Sequence, residues 1–521
     1  MKTLALLLFI LTVFNGYTQQ QVDWGKMERS SGRMLSILPK NESDFYSLRW
    51  SGGAVLGNYK LSKHSNLSTV ASGKLLLKAD NGMANFEDSK VINGKLLVFL
   101  SDRYEGENHF YMQEYGEDMK PLGEPNKLAK YELERGKSRG FFNVIVSQDN
   151  THFGVVWEIP GKREEKDRYG FKIFNENMEV INDGDYKLPY EGRLSNIDQH
   201  YLTNTGDYFI SVIEYQESEQ KRVFRNYLNY KSTHILHITD EGLEDFEVNL
   251  SGKRVEAMSM SSDNQRIFTL TGIYGETGKA GVSGLFYLRA DFDRQEIIDE
   301  GFEKFGKDFI TQDWSDRQKE RAERQEQRGK GEPQLYNYVM RQTEVLEDGS
   351  IIGSIEQYYV VVTSYTDPRT GATRTTYTYY YNDVIAYKVG KDGGFDWLTK
   401  IDKYQVSTND GGPYSSYARY MNDGKLCFIF NDSDRNYDEN GKFLKGSRTY
   451  AANFSKRRNV VALVEIDLSN GSVERKTFFD RSEINALAVP KLFNVNYTKG
   501  EVLLYAVYGR NERFGKLKLT D

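Results

Sequence analysis

The sequence predicts an all-β fold from its composition, its turn residues and a recurring hairpin. The chain contains 36 Tyr, 29 Phe and 46 Gly but only 9 Pro, and long runs with helical periodicity are scarce. Tyr and Phe favour strands, whereas Gly, Asn and Asp favour the tight turns between them. In the recurring hairpin, a short alternating strand, a polar turn and a strongly apolar strand follow one another.

The hairpin recurs seven times, and its turns carry the residues that tolerate a positive φ. The turns are centred on Gly94, Asn150, Gly206, Asn264, Gly349, Gly424 and Gly500. A more polar pair of strands follows each apolar strand, as at 110–115 and 119–123. An apolar inner hairpin followed by an amphipathic outer one is the pattern of a four-stranded β-propeller blade.

We therefore predict a β-propeller of seven four-stranded blades, closed by pairing of the N-terminal and C-terminal segments. Six or eight blades remain alternatives, because strand boundaries read from a sequence are uncertain by a few residues. A two-sheet sandwich is a further alternative, which the regular repeat disfavours. Only one strand, 514–519, follows the last hairpin, so the strand-like segments 45–50 and 54–61 are candidates for completing that blade. Closure would remove the open sheet edges that promote aggregation.

The N-terminus predicts a secretory signal peptide over residues 1–18. Lys2 precedes an apolar run at 4–14, which is too short to span a bilayer and is followed by small and polar residues. No later stretch approaches the roughly 20 apolar residues of a membrane span, so we expect no integral membrane segment after signal removal. The expected organisation is an exported, periplasmic protein with an N-terminal extension at 19–43 and one propeller domain at 44–521.

Two insertions interrupt the repeat. The first, at 299–335, predicts a short helix that begins near Ser315. With Ala322 as its single apolar residue, this helix has no face to bury, which favours a solvated helix over a basic recognition element. The second insertion, at 357–381, predicts a long hairpin that turns through Asp-Pro-Arg-Thr-Gly at 367–371.

The second insertion contains more tyrosine than one blade strand needs. Because Tyr is enriched where protein surfaces meet partners, four of these residues are candidate binding residues. They are Tyr358, Tyr359, Tyr379 and Tyr381. The alternative is that these side chains cover neighbouring blades.

The loop at 407–417 supplies the other candidate binding residues. Its two glycines, Gly411 and Gly412, permit tight backbone turns, and it precedes an inner strand, which places it at one mouth of the propeller. The side chains able to make polar or stacking contacts are Asn409, Asp410, Tyr414 and Tyr417. The alternative is a structural loop that shapes the entry to the blade.

The sequence contains no motif that predicts catalysis. Gly-x-Ser-x-Gly, His-Glu-x-x-His and phosphate-binding Gly-x-x-x-x-Gly-Lys patterns are missing, so we assign no catalytic residue. Paired carboxylates of a glycosidase remain open, because a propeller can assemble them from different blades. The net charge of −6 is spread along the chain, which gives no footprint for nucleic acid or anionic lipid.

We also predict no metal site and no cofactor. His234 and His237 are the only close histidines, and their spacing places them on opposite faces of a strand. Residues 431–441 imitate the start of a calcium loop, but Ser447 stands where the bidentate Glu is needed, which favours a polar surface turn. Cys427 lies in an apolar run that predicts a buried small hydrophobe rather than a reactive thiol.

Four motifs resemble a family of exported Bacteroidota proteins of unsettled function. They are Asn-Asp-Gly-Gly at 409–412, Ser-Ser-Tyr at 415–417, Tyr-Tyr-Tyr-Asn-Asp-Val at 379–384 and Arg-Phe-Gly-Lys-Leu at 513–517. Some periplasmic proteins of that phylum associate with the type 9 secretion translocon, including a plug subunit beneath its outer-membrane pore. The resemblance implies an envelope partner of this kind. The C-terminus does not look like a type 9 sorting domain, which favours retention in the periplasm.

The leading functional hypothesis is a non-catalytic periplasmic adaptor that docks on another cell-envelope protein. It rests on the missing catalytic motifs together with the aromatic-rich insertions. The alternative is a glycan-binding protein or a glycan-active enzyme that uses the propeller mouth, which rests on fold-level analogy. A pocket with converging carboxylates would favour the enzyme.

Overall fold

The computed structural model describes residues 22–519, with short gaps. The gaps are 42, 53–56, 134–139, 162–163, 218–227, 249, 251, 263–265, 277–280, 329–332, 445–448, 453, 455–458, 481–485 and 497–499. The signal peptide expected at 1–18 and the hairpin turn at Asn264 therefore lie outside the described residues.

The strands form eight large sheets, which we number as blades 1–8 in chain order. The chain starts with β1 (Val22–Trp24) and β2 (Glu28–Arg29). Blade 1 contains β3 (Arg33–Pro39), β4 (Asp44–Gly52), β5 (Gly57–Ser65) and β6 (Ser68–Lys74), and a two-stranded ribbon follows as β7 (Lys78–Ala79) and β8 (Gly82–Met83). Blade 2 contains β9 (Asn85–Ile92), β10 (Lys95–Tyr104), β11 (Glu107–Tyr115) and β12 (Asn126–Glu132).

Blades 3–5 have the same four-stranded form. Blade 3 contains β13 (Phe141–Val146), β14 (Phe153–Ile159), β15 (Lys166–Phe174) and β16 (Val180–Glu191), followed by a 3-10 turn at Gly192–Leu194. Blade 4 contains β17 (Ser195–Leu202), β18 (Tyr208–Glu217), β19 (Leu228–Thr239) and β20 (Gly242–Val248). Blade 5 contains β21 (Lys253–Ser262), β22 (Ile267–Glu276), β23 (Gly284–Asp291) and β24 (Glu296–Lys304).

The last three blades carry the irregular elements. Helices α1 (Lys307–Thr311) and α2 (Asp316–Gln327) precede blade 6, which contains β25 (Tyr338–Val345), β26 (Ile351–Thr366), β27 (Thr373–Val389), β28 (Phe395–Ile401) and β29 (Gln405–Thr408). Blade 7 contains β30 (Ala418–Asn422), β31 (Lys425–Ser433), a 3-10 turn at Asp434–Asn436, β32 (Asn459–Asp467) and β33 (Val473–Asp480). Blade 8 contains β34 (Leu487–Ala488), a 3-10 turn at Pro490–Leu492, β35 (Asn494–Asn496), β36 (Glu501–Tyr508) and β37 (Asn511–Lys518), together with β1 and β2.

Blades 1–5 and 7 are four-stranded antiparallel meanders, and all eight blades close into a ring through their cores. In the described part of the chain, each of eight hydrophobic clusters combines residues of two consecutive blades. The cluster that contains Met34, Phe45, Leu503 and Phe514 joins blade 8 back to blade 1. The all-β propeller prediction is therefore confirmed, and burial of apolar faces between neighbouring sheets stabilises the ring.

The described sheets number eight, so the preferred count of seven was one too low. The missed blade is blade 1, in which the connection between β3 and β4 has the sequence Lys-Asn-Glu-Ser at 40–43 and contains no glycine. The turns of the recognised hairpins do have positive φ at the residues singled out, for example 72° at Gly94 and 59° at Asn150. A search for glycine-containing turns with positive φ therefore does not detect the β3–β4 hairpin.

The N-terminal segment closes the ring in a different way from the one expected. Val22 pairs with Leu517 and Trp24 with Gly515, so β1 completes blade 8, whereas 44–52 belongs to blade 1. The described part of the expected extension at 19–43 is thus part of the propeller. A buried ion pair between Arg49 and Glu512, with Nη2 and Oε1 2.6 Å apart, adds a link between blades 1 and 8.

The helical insertion is shorter than expected, because residues 299–304 extend β24. Helix α2 begins at Asp316, which agrees with the predicted start near Ser315, and Ser315 and Gln318 form a capping box at its N-terminus. Ala322 is its only buried residue. Neither described helix has the length and hydropathy needed to cross a membrane.

Candidate functional site

The two segments that the sequence nominated separately form one sheet. Strand β29 pairs with β27 in the register Tyr379 to Ser407 and Tyr381 to Gln405. The long hairpin of β26 and β27 extends beyond the rest of blade 6, since β25 accompanies β26 only as far as Gln357. We call residues 358–381 the arm, and residues 409–417 the corner loop.

The corner loop is held in shape by backbone conformations that suit its residues. Asn409 has a φ of 57°, and its Oδ1 accepts a hydrogen bond from the backbone N–H of Tyr377, 2.9 Å away. Gly411 and Gly412 also have positive φ, and the N–H of Gly412 donates to Asp410 Oδ1 at 2.8 Å. A side chain at Gly412 would come within 2.7 Å of the Tyr381 ring, so glycine is needed there for two reasons.

Three of the four candidate tyrosines of the arm take part in two cross-strand ring pairs, whereas the fourth, Tyr379, is half-buried and its strand neighbours are Val360 and Ser407. The centroids of Tyr358 and Tyr381 lie 4.7 Å apart, and those of Tyr359 and Tyr380 lie 4.6 Å apart. The Arg341 guanidinium lies 5.5 Å from the Tyr358 centroid. These contacts stiffen the base of the arm, because cross-strand aromatic pairs stabilise two-stranded ribbons.

The tyrosines of the corner loop have different surroundings. Tyr414 lines a cleft and packs against Phe454 with a centroid distance of 5.9 Å. Tyr417 packs on Phe428 and its hydroxyl donates to Ser354 Oγ at 2.9 Å, outside the cleft lining. Burial raises the pKa of the Tyr417 hydroxyl well above its ordinary value. Tyr417 therefore contributes to the packing between blades 6 and 7, and a role of this residue in binding stays a prediction.

A buried charged cluster connects the arm to the corner loop. The Glu356 carboxylate is fully buried and accepts hydrogen bonds from Lys403 Nζ at 2.7 Å, Arg341 Nε at 2.7 Å and Ser416 Oγ at 2.9 Å. Burial alone would raise the pKa of Glu356, but Lys403 and Arg341 outweigh it and lower that pKa. Lys403 also donates to the backbone carbonyl of Tyr381, at 2.9 Å.

A cleft of about 760 Å³ opens beside the corner loop. Asp410 and Tyr414 line it, together with Arg33, Lys491 and Tyr505 from blades 1 and 8. The cleft therefore lies where the ring closes. No local pattern in the sequence indicates Arg33 or Lys491, because their proximity to the corner loop depends on that closure.

A second cleft, of about 710 Å³, lies between blades 6 and 7 beside α1. Its lining includes Asp313, Lys400 and Asp402. Burial, reinforced by the neighbouring Asp313, raises the pKa of Asp402 to about 8. Lys400 Nζ lies 2.8 Å from Asp313 Oδ2 and offsets part of this concentration of negative charge.

The calcium-like segment at 431–441 uses its polar groups within the fold. Asp432 pairs with Arg475 and accepts hydrogen bonds from Asn436 at 2.8 Å and the Tyr437 hydroxyl at 2.7 Å. Within the described ranges, no group of three or more His, Cys, Asp or Glu side chains is arranged to hold a metal ion. Cys427 is free and buried, as predicted, and burial raises the pKa of its thiol to about 12.

No family model and no curated protein matches the sequence. Among solved structures, similarity extends to the WD40 domain of SCAP from fission yeast, at 8% identity over 96% of this chain and 95% of that chain, with a TM-score of 0.39. A Synechocystis apocarotenoid oxygenase mutant has 8% identity over 89% and 95%, with a TM-score of 0.33. Prolyl oligopeptidase B from Galerina marginata has 9% identity over 93% and 56%, with a TM-score of 0.37.

Proposed function

We propose that this protein is a non-catalytic adaptor of the cell envelope, which docks on another envelope protein through the arm. The observation that carries the proposal is the outer edge of β26 beyond Gln357. No described strand pairs with this edge after Asn337, whose carbonyl accepts the N–H of Tyr358 at 2.8 Å. An extended edge with free backbone donors and acceptors is a template for a further strand.

The composition of this edge supports docking. The sequence Tyr-Tyr-Val-Val-Val-Thr-Ser-Tyr-Thr at 358–366 contains no charge and no proline, the features by which proteins usually protect an exposed edge. Val362 is 55% exposed and Tyr365 is 66% exposed, so the outer part of the arm presents apolar surface. We expect a partner segment to add as a strand, with its backbone hydrogen bonds supplying affinity and the side chains supplying specificity.

The expected compartment and the family resemblance select the first partner to test. The proposed location is the periplasm, and the proposed partner is an outer-membrane protein, with subunits of a type 9 secretion complex as the first candidates. The alternative of a glycan-active enzyme gains no support from the cleft beside the corner loop. Asp410 is the only carboxylate among its described lining residues, whereas glycoside hydrolysis needs a pair. The second cleft does bring Asp313 and Asp402 together, but their side chains are hydrogen-bonded to each other, which is closer than the roughly 5 Å or more between the two carboxyl groups of a glycosidase.

The test places a photo-crosslinking amino acid at position 362 of the full-length protein in cells. We expect a covalent adduct with one envelope protein, and we expect Val362→Lys to abolish a separate pull-down of that protein, because a charge on the edge opposes strand addition. Val70 is 58% exposed on blade 1, so position 70 and Val70→Lys are the matched controls. Equal adducts from positions 362 and 70, or full recovery of the partner with Val362→Lys, would overturn the proposal.

A further inference from the structure

The cleft beside the corner loop has the size and lining of a small-molecule site. Its volume of about 760 Å³ lies within the range of roughly 300–1,000 Å³ that is typical of ligand pockets. Its walls come from the start of β3, the corner loop, the 3-10 turn at Pro490–Leu492 and the end of β36. The apolar wall residues are Met34, Leu35, Pro413, Val489, Leu492 and Val507.

Neither of the two cations in the cleft forms an ion pair with a carboxylate of the described residues, although Glu356 and Asp410 attract Lys491 from a longer distance. Lys491 Nζ donates to the Tyr381 hydroxyl at 2.7 Å and to the Gly412 carbonyl at 2.8 Å, both neutral acceptors. Since an ammonium has three N–H donors, one remains for a ligand. Arg33 forms no ion pair with any described residue, and its Nη2 lies 3.8 Å from where a Cβ on Gly411 would stand.

Arg33 and Lys491 approach neighbouring residues of the corner loop, Gly411 and Gly412. Lys491 contacts Gly412 and Arg33 approaches Gly411, and consecutive Cα atoms are about 3.8 Å apart. Asp410 lines the same cleft and adds one negative charge. The lining thus carries a formal charge of two positives and one negative, which suits a ligand with one negative charge and a hydrogen-bond donor next to it.

We propose that this cleft binds a small monocarboxylate that has an apolar body and an N–H donor beside the carboxylate. The C-terminal residue of a peptide and a free N-acyl amino acid both have this chemistry. Arg33 and Lys491 hold the carboxylate, because guanidinium and ammonium donors form strong charge-assisted hydrogen bonds with it. Asp410 accepts the N–H, and the apolar wall covers the side chain.

The test is isothermal titration calorimetry of the full-length mature protein with N-acetyl-Ala-Leu, its carboxamide and octanoate. We expect the free acid to bind and the carboxamide to bind at least about tenfold more weakly. Lys491→Met and Arg33→Gln should each weaken binding of the acid by about tenfold or more, and Lys491→Arg should retain most of it. Lys120→Met is the matched control, since Lys120 is 77% exposed and lies outside the cleft lining. This variant should bind the acid as tightly as the wild type does.

The octanoate titration separates the two parts of the proposal. Octanoate has the carboxylate and the apolar body but no N–H donor, so it should bind more weakly than the acylated dipeptide. Asp410→Asn should weaken dipeptide binding, because it removes a strong acceptor for the N–H of the dipeptide. The same variant should strengthen octanoate binding, because it removes a negative charge that repels the carboxylate. N-acetyl-leucine binding as tightly as the dipeptide would point to free acyl amino acids as the source, and weaker binding would point to peptide C-termini.

Three results would overturn the inference. They are no heat of binding for the free acid at about 10 mM, equal binding of the acid and the carboxamide, and unchanged binding by Lys491→Met. The inference is independent of the proposed docking function. Val362→Lys on the arm should leave the calorimetric result unchanged, so failure of one proposal can be distinguished from failure of the other.

Discussion

Replacing Glu356 with Gln should destabilise the protein strongly, although the two side chains have nearly the same shape. Glu356 is fully buried and compensates the fully buried ammonium of Lys403, 2.7 Å away. Removing one member of a buried ion pair leaves an uncompensated charge, which costs about 3–5 kcal/mol of folding free energy. The Gln amide also directs its N–H donors toward a site already filled with donors from Arg341, Lys403 and Ser416.

Glu114→Gln provides the matched control for this prediction. Glu114 pairs with Lys95 at 3.4 Å, and both side chains are at least a third exposed. An exposed pair of this kind contributes about 0–1 kcal/mol. The assay is urea unfolding followed by tryptophan fluorescence, with the midpoint and the slope compared between variants. The double variant Glu356→Gln with Lys403→Met should recover part of the loss, because it removes the unpaired charge.

The difference in stability between the wild type and Glu356→Gln should depend on pH in one direction. The pKa of Glu356 in the folded protein lies below its ordinary value of 4.5, because Lys403 and Arg341 favour the charged form. Its contribution to stability is therefore fully present above about pH 4.5 and is lost as the pH falls through the folded value. The gap between wild type and Glu356→Gln should narrow in acid. A Glu356→Gln cost no greater than that of Glu114→Gln at pH 7 would refute the reasoning.

Three further predictions concern other parts of the fold. Gly412→Ala should lower the free energy of unfolding by about 1–2 kcal/mol because of the left-handed backbone, and by a further amount because the new Cβ clashes with Tyr381. Gly424→Ala should lower it less, because Gly424 has nearly the same φ but open space around it, and urea unfolding measures both losses. Asp402→Asn should raise the urea midpoint of unfolding at pH 8 but not at pH 4. Asp402 has a pKa of about 8 in the folded protein and an ordinary value of 3.8, so the unfolded chain ionises first and the wild type loses stability as the pH rises from about 4 to 8. Cys427 should not react with a thiol reagent at pH 8 until the protein is unfolded, because its thiol is buried and its pKa is raised to about 12.

The fold was predictable wherever turn residues with positive φ mark the hairpins. Six of the seven turn positions lie in the described chain, and each has positive φ, because Gly and Asn report backbone conformation locally. The β3–β4 turn has an asparagine, Asn41, but no glycine, and none of its described residues has a positive φ. Blade 1 was therefore missed, and its strands were offered as closing segments. The closing strand Val22–Trp24 has only three residues, too few for an alternating pattern to identify.

The candidate site was predictable in part, for the same physical reason. The Asn-Asp-Gly-Gly sequence at 409–412 requires an unusual backbone, and it proved to form one wall of the cleft. The same loop also nominated Tyr417, because a loop sequence does not reveal which way each side chain turns, and the Tyr417 side chain packs between blades 6 and 7. Arg33 and Lys491 are 458 positions apart in the sequence, and no local sequence pattern predicts that such distant residues lie close together.

The buried ion pairs occur where the repeating pattern of the propeller is broken. Among the described residues, three pairs of Lys or Arg with Asp or Glu have both side chains less than a tenth exposed: Arg49–Glu512, Lys403–Glu356 and Arg475–Asp432. They lie at the ring closure, at the base of the arm and beside the long segment between β31 and β32. Apolar blade faces can pack in many similar ways, whereas a buried charge tolerates only the position that places its partner within reach. We infer that these pairs fix the position of the irregular segments, so the Glu356→Gln experiment also measures how firmly the arm and the corner loop are held together.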